Sequence, residues 1–387
     1  MSRVRPPLMV LGFALFILLG MPEGVLGTAW PSIREEVGRP VSDLAWLVAA
    51  YTLGYLVSAT GSGHLIQRFG VDRSIRSGVA VTAAGLGLYA MTSGWATVFA
   101  AALVSGLGAG TVDAALNTHF AVAGDMTAMN YLHAFFGVGA TLGPLVVAGL
   151  LAAHRSWHLA YGLMGAVEVA LLVVLLSRRS RFGPRVPPAG GERRTGPEPP
   201  SRRMLLWLTM LVFFTYVGAE VAYGQWSFSL LTEERGVSEQ VAALVVAAYW
   251  GGLTVGRIGL AISGRRLEPR AVLRRSGAVV VAAGALFWLD PFPGADLVAL
   301  PLVGLGEAGI FPAMVMLNPG WFGVAGTPRA VGYQLASSSL GAILVSGAVG
   351  TLAGSRGLGT MPATVLAVAI ASLVAVRSTV ALDRPVA

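Results

Sequence analysis

Asp113 and Asn117 stand four residues apart inside a glycine-rich apolar stretch that runs from Gly106 to Pro144. On a helix that spacing puts both side chains on one face, together with Gly106 and Gly110. Glycines there let a neighbouring backbone approach closely. The face therefore offers a close-packed seam, then a carboxylate and an amide. A carboxylate in a segment that must cross lipid is costly, and it marks a functional position. Glu23 is a second such acid. It follows Pro22 and is flanked by Gly20, Gly24 and Gly27, so the first helix is expected to kink or break there. An acid set in an enclosed cavity can take a proton from one side and release it on the other. His133, whose imidazole titrates near neutral pH, is a further candidate relay.

Two polar-aromatic stripes accompany these acids. Tyr216, Glu220, Tyr223 and Ser227 are spaced 4, 3 and 4 along one face, with Trp226 one residue off it. Glu307, Phe311, Met314 and Asn318 repeat the spacing, with Pro312 and Pro319 as points of flexing. Such surfaces suit a polyhydroxylated solute. Carboxylates and amides bind hydroxyls, and aromatic rings cover the apolar CH face. Interfacial anchoring is the competing role for the aromatics. Glu168, alone in its segment, reads as a packing or interfacial residue. His154 and His158 have the i, i+4 spacing of metal ligands but no carboxylate nearby in sequence, so no metal site is expected. Gly61-Ser62-Gly63-His64 superficially resembles a serine hydrolase motif, but adjacent Ser and His do not face each other on a helix. No enzyme and no cofactor are expected.

The elements that must carry these residues are membrane helices. Of the 387 residues 55% are hydrophobic and 12% charged, with a mean hydropathy of +0.70; soluble domains carry about 25% charged residues. Apolar runs of roughly bilayer-spanning length fall near 8–30, 43–64, 75–93, 95–118, 130–153, 157–177, 204–231, 239–262, 271–289, 296–318, 329–354 and 359–377. That is twelve helices in an all-α membrane protein. The first run, with Arg3 and Arg5 before it, is a membrane helix and not a signal peptide, because no small-residue cleavage site follows it. There is no Cys, and all 27 basic residues are Arg. The net charge of +8 reflects the cytoplasmic bias of Arg in membrane proteins, and no nucleic-acid partner is expected. With the N-terminus inside, 22 Arg fall on the cytoplasmic side and 5 outside, which places both termini in the cytoplasm. The expected setting is a bacterial cytoplasmic membrane.

Residues 178–203 form a linker rich in Pro, Gly and Arg, unable to build a core. They divide the chain into an N-terminal six-helix bundle (1–177) and a C-terminal one (204–387). The halves repeat. Val48-Ala49-Ala50-Tyr51 returns as Val246-Ala247-Ala248-Tyr249, and Gly106-Leu107-Gly108 as Gly304-Leu305-Gly306, both 198 residues later. Gly143 and Gly341 keep that offset, and Glu23 with Trp30 is echoed by Glu220 with Trp226. Two parallel six-helix repeats are the sequence picture of a transporter architecture in which the site lies near the membrane midplane.

The chain resembles the major facilitator superfamily. That family's loop between helices two and three carries Gly-x-Leu-x-Asp-x-x-Gly-Arg-Arg, matched here by Gly63-His64-Leu65-Ile66-Gln67-Arg68-Phe69-Gly70-Val71-Asp72-Arg73. Gly63, Arg68, Gly70 and Arg73 fit, and Gln67 replaces the Asp. Gly256-Arg257 and Gly264-Arg265-Arg266 look like the degenerate copy. Within the family the chain is most similar to the fucose permease-like branch of sugar–proton symporters and sodium-dependent glucose transporter-like proteins. Asp113–Thr118, His133–Gly139 with Gly143-Pro144, and Tyr216–Glu220 with Gly224 and Trp226 carry that likeness. Drug–proton antiporters have an Arg in helix four that would fall near Ala102, and a Gly pair where this chain has Val147-Ala148.

The resemblance implies a monomeric secondary transporter of a small solute, a sugar or polyol, coupled to protons or sodium through alternating access. With the stripes described above, substrate binding is expected of Asp113, Asn117, Tyr216, Glu220, Tyr223, Trp226 and Asn318. Proton coupling falls to Glu23, Asp113, His133 and Glu307, and gating to the loop Gly63, Gln67, Arg68, Gly70 and Arg73. The alternatives are a drug or metabolite efflux antiporter of the same superfamily and a non-transporting receptor or sensor.

Overall fold

A chain crossing lipid must satisfy its backbone internally, and this one does so with helices alone among the described residues. The computed structural model describes residues 6–92, 94–123, 126–177, 200–263 and 267–382. In order the helices are α1 (Pro6–Glu36), α2 (Leu44–Phe69), α3 (Val71–Met91), α4 (Trp95–Ala123), α5 (Met126–Ala152) and α6 (His158–Ser177). The next three are α7 (Pro200–Ser229), α8 (Glu239–Ser263) and α9 (Pro269–Leu289). A further helix, Ile310–Arg356, is broken at Gly323 (φ 72°, ψ 162°). It is therefore treated as two: α10 (Ala295–Gly323), interrupted by a turn at Ala308–Gly309, and α11 (Arg329–Arg356). α12 is Met361–Leu382.

Eleven of these twelve are long and apolar enough to cross a membrane among the described residues. α3 is the exception because Asp72, Arg73 and Arg76 crowd its first turns. The twelve expected spans are thus all helices. Of the expected linker only the last residues, at the start of α7, are described. α1 corrects the expectation of a break. It runs unbroken through Pro22 and Pro31, since membrane helices tolerate proline where neighbours re-satisfy the backbone.

The chain forms two compact units: Met1–Pro188 with Leu231–Ala247, and Ala189–Leu230 with Ala248–Ala387. In the first, α4 packs between α2 and α3, α1 packs on α5, and α3 on α6. Glycines make these contacts. A Cβ on Gly106 would land on the carbonyl oxygen of Tyr51, and one on Gly54 on that of Leu103. Gly110 lies equally tight against Tyr55 and Ser58, as the seam requires.

The second unit repeats the device. Gly304 meets the carbonyl of Tyr249, and Gly252 meets that of Pro301, each 198 residues after its counterpart. Gly306 on Val280 likewise repeats Gly108 on Thr82. The offset fails in one place. Gly341 meets the carbonyl of Phe214, as Gly139 meets that of Ile17, whereas Gly143 lies against Met21. By contact, Gly341 is therefore the partner of Gly139, not of Gly143. Outward faces carry exposed Leu53, Val57, Leu163, Val167 and Leu344, apolar surface that suits lipid.

Candidate functional site

Each unit holds its own polar cluster. In the first, Asp113 of α4 accepts hydrogen bonds on both oxygens. The hydroxyl of Tyr55 donates to Oδ2 at 2.7 Å, and Nδ2 of Asn117 donates to Oδ1 at 3.0 Å. The glycine seam explains the reach. Gly106 and Gly110 bring α4 onto the backbone of α2 at Tyr51 and Tyr55, so Tyr55 arrives beside Asp113. Glu23, half-buried on α1, sits between Gly20 and Gly24, which press on the α5 carbonyls of Phe136 and Ala140. Glu23 and Asp113 both act electrostatically on Tyr51. The expected carboxylates of this unit thus share one neighbourhood, with Tyr51 and Tyr55 as members that the sequence reading did not include in the site. His133 meets Phe16 edge-on, ring centroids 5.7 Å apart.

Glu168 is 2% exposed, buried within the protein. Its Oε2 has no hydrogen-bond partner among the described residues. In the expected gating loop, Gly63 lies within α2, and Gly70 (φ 86°) joins α2 to α3 in a conformation that favours glycine. Gln67, Arg68 and Arg73 are exposed. Residues 264–266, half of the degenerate copy, lie outside the described residues.

The second unit is built differently. Glu307, 1% exposed, closes the first segment of α10. Its Oε2 accepts from the hydroxyl of Tyr249 on α8 at 2.6 Å. That hydroxyl also lies 3.0 Å from the carbonyl of Glu220 on α7. One turn beyond Leu253, Arg257 reaches back to α7. Its Nη2 donates to the hydroxyl of Tyr216 at 3.2 Å and lies 3.7 Å from Oε1 of Glu220. Arg257 corrects the orientation count. It is one of the 22 Arg counted on the cytoplasmic side, but it sits inside a membrane-spanning helix with a side chain 18% exposed, so it carries no information about sidedness. A charge inside an apolar helix was the signal that could have found it.

The expected stripes divide. Tyr216 and Glu220 join the cluster. Tyr223, fully buried, packs edge-on against Phe287 with its hydroxyl towards Gly284 of α9. Trp226 gives its indole N–H to Ser346 of α11 at 3.0 Å. Asn318 exchanges two hydrogen bonds with Gln334, at 2.9 and 3.0 Å, across the break at Gly323. Trp226 and Asn318 are both fully buried, and the indole N–H and both ends of the amide are already bonded. In this structure both side chains join helices. The turn at Ala308–Gly309 also interrupts the second stripe, and Phe311 turns to Phe213, ring centroids 5.4 Å apart.

Comparison with known proteins agrees with this architecture. The model of the Major Facilitator Superfamily matches residues 12–303. The chain is 23% identical to a glucose/mannose transporter of Bacillus subtilis, over 79% of this chain and 78% of that one. It is 27% identical to sodium-dependent glucose transporter 1A of Mus musculus, over 88% of each. In fold it matches a crystal structure of a fucose transporter in the outward conformation. The TM-score is 0.66 and the identity 17%, over 96% of this chain and 98% of that one. The likeness to the fucose permease-like branch read from helices four, five and seven is borne out.

Proposed function

This chain belongs to the Major Facilitator Superfamily, and from that premise we propose that it moves a sugar or polyol across a bacterial cytoplasmic membrane, as a monomer, by alternating access coupled to protons. It is a membrane transporter and not an enzyme. The observation that carries the sugar reading is the Asp113 cluster. A carboxylate held by a phenol and an amide, in a segment apolar enough to span lipid, is a set of donors and acceptors that matches neighbouring hydroxyls. The relatives named for glucose support the same class. In this reading Asp113, Asn117, Tyr216 and Glu220 contact substrate, and Tyr223 shapes the wall behind them. Glu23 and Asp113 carry the coupling proton, with His133 and Glu307 as further groups able to hold one. The gating element is Gly63, Gln67 and Arg68 in the last turns of α2, Gly70 at the joint and Arg73 in the first turn of α3. The bundles are 1–177 and 204–387, with 178–203 between them and both termini in the cytoplasm.

Sodium coupling is a second reading, favoured by the sodium-dependent glucose transporters among the relatives. The test is uptake of radiolabelled D-glucose, L-fucose and D-xylose into proteoliposomes under an imposed pH gradient or an imposed sodium gradient. Accumulation above equilibrium with the pH gradient alone is expected. Accumulation only with sodium moves the coupling ion, and no uptake of any sugar removes the substrate class. For the topology, the absence of native Cys makes single probes clean. A membrane-impermeant thiol reagent is expected to label Ser42→Cys and Ser238→Cys in intact cells and to leave Ser201→Cys unlabelled.

A further inference from the structure

The second unit carries a charge count that sharpens the part given to Glu307 in the transport reading. Glu307, Glu220, Tyr216, Tyr249 and Arg257 come from α7, α8 and α10 and form one connected cluster in membrane-spanning helices. It contains two carboxyl groups and a single guanidinium. Among the described residues Arg257 is the one cation acting on Glu307. The groups around Glu307 include Glu220 of α7 and Tyr249 and Arg257 of α8, with Tyr216 and Tyr223 of α7 also in its field. The cation is spent locally: Arg257 lies against Glu220 and Tyr216, and no hydrogen bond joins it to Glu307.

Glu307 has one donor, Tyr249, on Oε2. Its Oε1 is buried with no partner among the described residues. An ionised carboxylate buried in this way needs a cation or several donors. A protonated acid needs neither, and its O–H is itself a donor.

We propose that this cluster is a second proton site, in which Arg257 and Glu220 form a fixed ion pair and Glu307 holds the one exchangeable proton that makes the cluster neutral. Arg257 is then a positioning residue. It sets how many protons the unit holds without touching the proton itself. Release leaves a carboxylate on Glu307 and a cluster with one net negative charge. A single Arg must then serve two acids. Use of this proton in transport rests on the proton-coupled reading above, whereas the charge count stands apart from it.

The test reads the count directly, with no substrate. Infrared difference spectra, variant minus wild type, are taken of the full chain in lipid nanodiscs at neutral pH, in the C=O stretch of protonated carboxylic acids. Glu307→Gln is expected to remove one band. Glu220→Gln is expected to remove the same band, because Arg257 then pairs with Glu307 as a carboxylate. Arg257→Gln is expected to add a second band, because two acids without a cation are both neutral. The double variant Glu220→Gln/Arg257→Gln removes the ion pair whole and is expected to keep the wild-type band. It also serves if Arg257→Gln alone fails to fold. The proposal is overturned if Glu307→Gln leaves the spectrum unchanged, if Glu220→Gln leaves the band in place, or if the double variant loses it. Failure of sugar uptake in proteoliposomes would remove the transport reading and leave these spectra as they are.

Discussion

The two units share a backbone and differ in chemistry. Tyr51 under Gly106 and Tyr249 under Gly304 are the same contact made twice. Around that contact the side chains diverge. The residues 198 positions from Asp113 and Tyr55 are Phe311 and Leu253, and those 198 positions before Glu307 and Arg257 are Ala109 and Ala59. Asp113 is held by two uncharged donors, and Glu307 by one, beside an ion pair. What repeats is the requirement that helices touch. A glycine facing a carbonyl admits one solution, so the seam stays alike in both halves. A polar site can be assembled from any helix the seam brings near, so its residues need not correspond.

The comparison breaks most visibly at the seam. Gly106→Leu and Gly304→Leu are expected to cost the same in each unit, at least about 3 kcal/mol, because the obstacle is backbone and cannot turn aside. Monodisperse protein after solubilisation and the apparent melting temperature check this. Gly61 and Gly259 have open space where a Cβ would go, and alanine there is expected to stabilise by up to about 1 kcal/mol. If Gly304→Leu is tolerated and Gly106→Leu is not, the shared seam is not the organising contact of the second unit.

The next effect separates the acids. Asp113→Asn and Glu23→Gln keep the shape and lose the exchangeable proton. Uphill uptake driven by a pH gradient is expected to fall to leak level in both. The variant of the acid that carries the proton is expected to retain equilibrium exchange better than uphill uptake, and one that also loses exchange marks its acid as a substrate ligand. If both variants still concentrate substrate, the coupling proton of the first unit is elsewhere, and the Glu307 cluster is left to supply it.

The spans were legible because lipid demands about twenty apolar residues with internal hydrogen bonds, a constraint written along the chain. Asp113 with Asn117 was legible for the same reason, as an i, i+4 pair on one helix. Tyr55 was not, since it reaches Asp113 from 58 residues away and shows only as a tyrosine one turn past Tyr51. Arg257 entered the cytoplasmic count although it lies within the apolar run 239–262, because a count of Arg along the chain takes no account of a side chain paired inside the helix bundle. The partners of Trp226 and Asn318, Ser346 and Gln334, were not legible because they lie on another helix. A polar side chain in an apolar helix announces that it has a partner, without saying whether the partner is a ligand or the protein.

Asn318 gives the third prediction and sharpens the distinction between a polar site and a polar joint. Asn318→Leu leaves the amide of Gln334 buried and unpaired, at a cost of about 1–3 kcal/mol. Asn318→Leu with Gln334→Leu removes both halves and is expected to recover most of that stability. The apparent melting temperatures of the two single variants and the double variant measure the coupling. Additive losses would mean that the reciprocal pair does not hold α10 to α11.

The smallest effect tests the donors. Tyr55→Phe takes one hydrogen bond from Asp113 and leaves Asn117 on the other oxygen. The expected cost is about 1 kcal/mol, which is roughly a five-fold weakening of substrate exchange if Asp113 contacts the substrate. Tyr249→Phe removes the single donor to Glu307 and leaves both carboxyl oxygens without a partner from the protein. Its cost is expected to be larger, about 2–3 kcal/mol. Thermal shift of the two variants beside wild type, in the same detergent, gives the comparison. Equal shifts would mean that water or another group meets Glu307 as well as Asn117 meets Asp113, and the contrast between a doubly held acid and a singly held one would no longer stand.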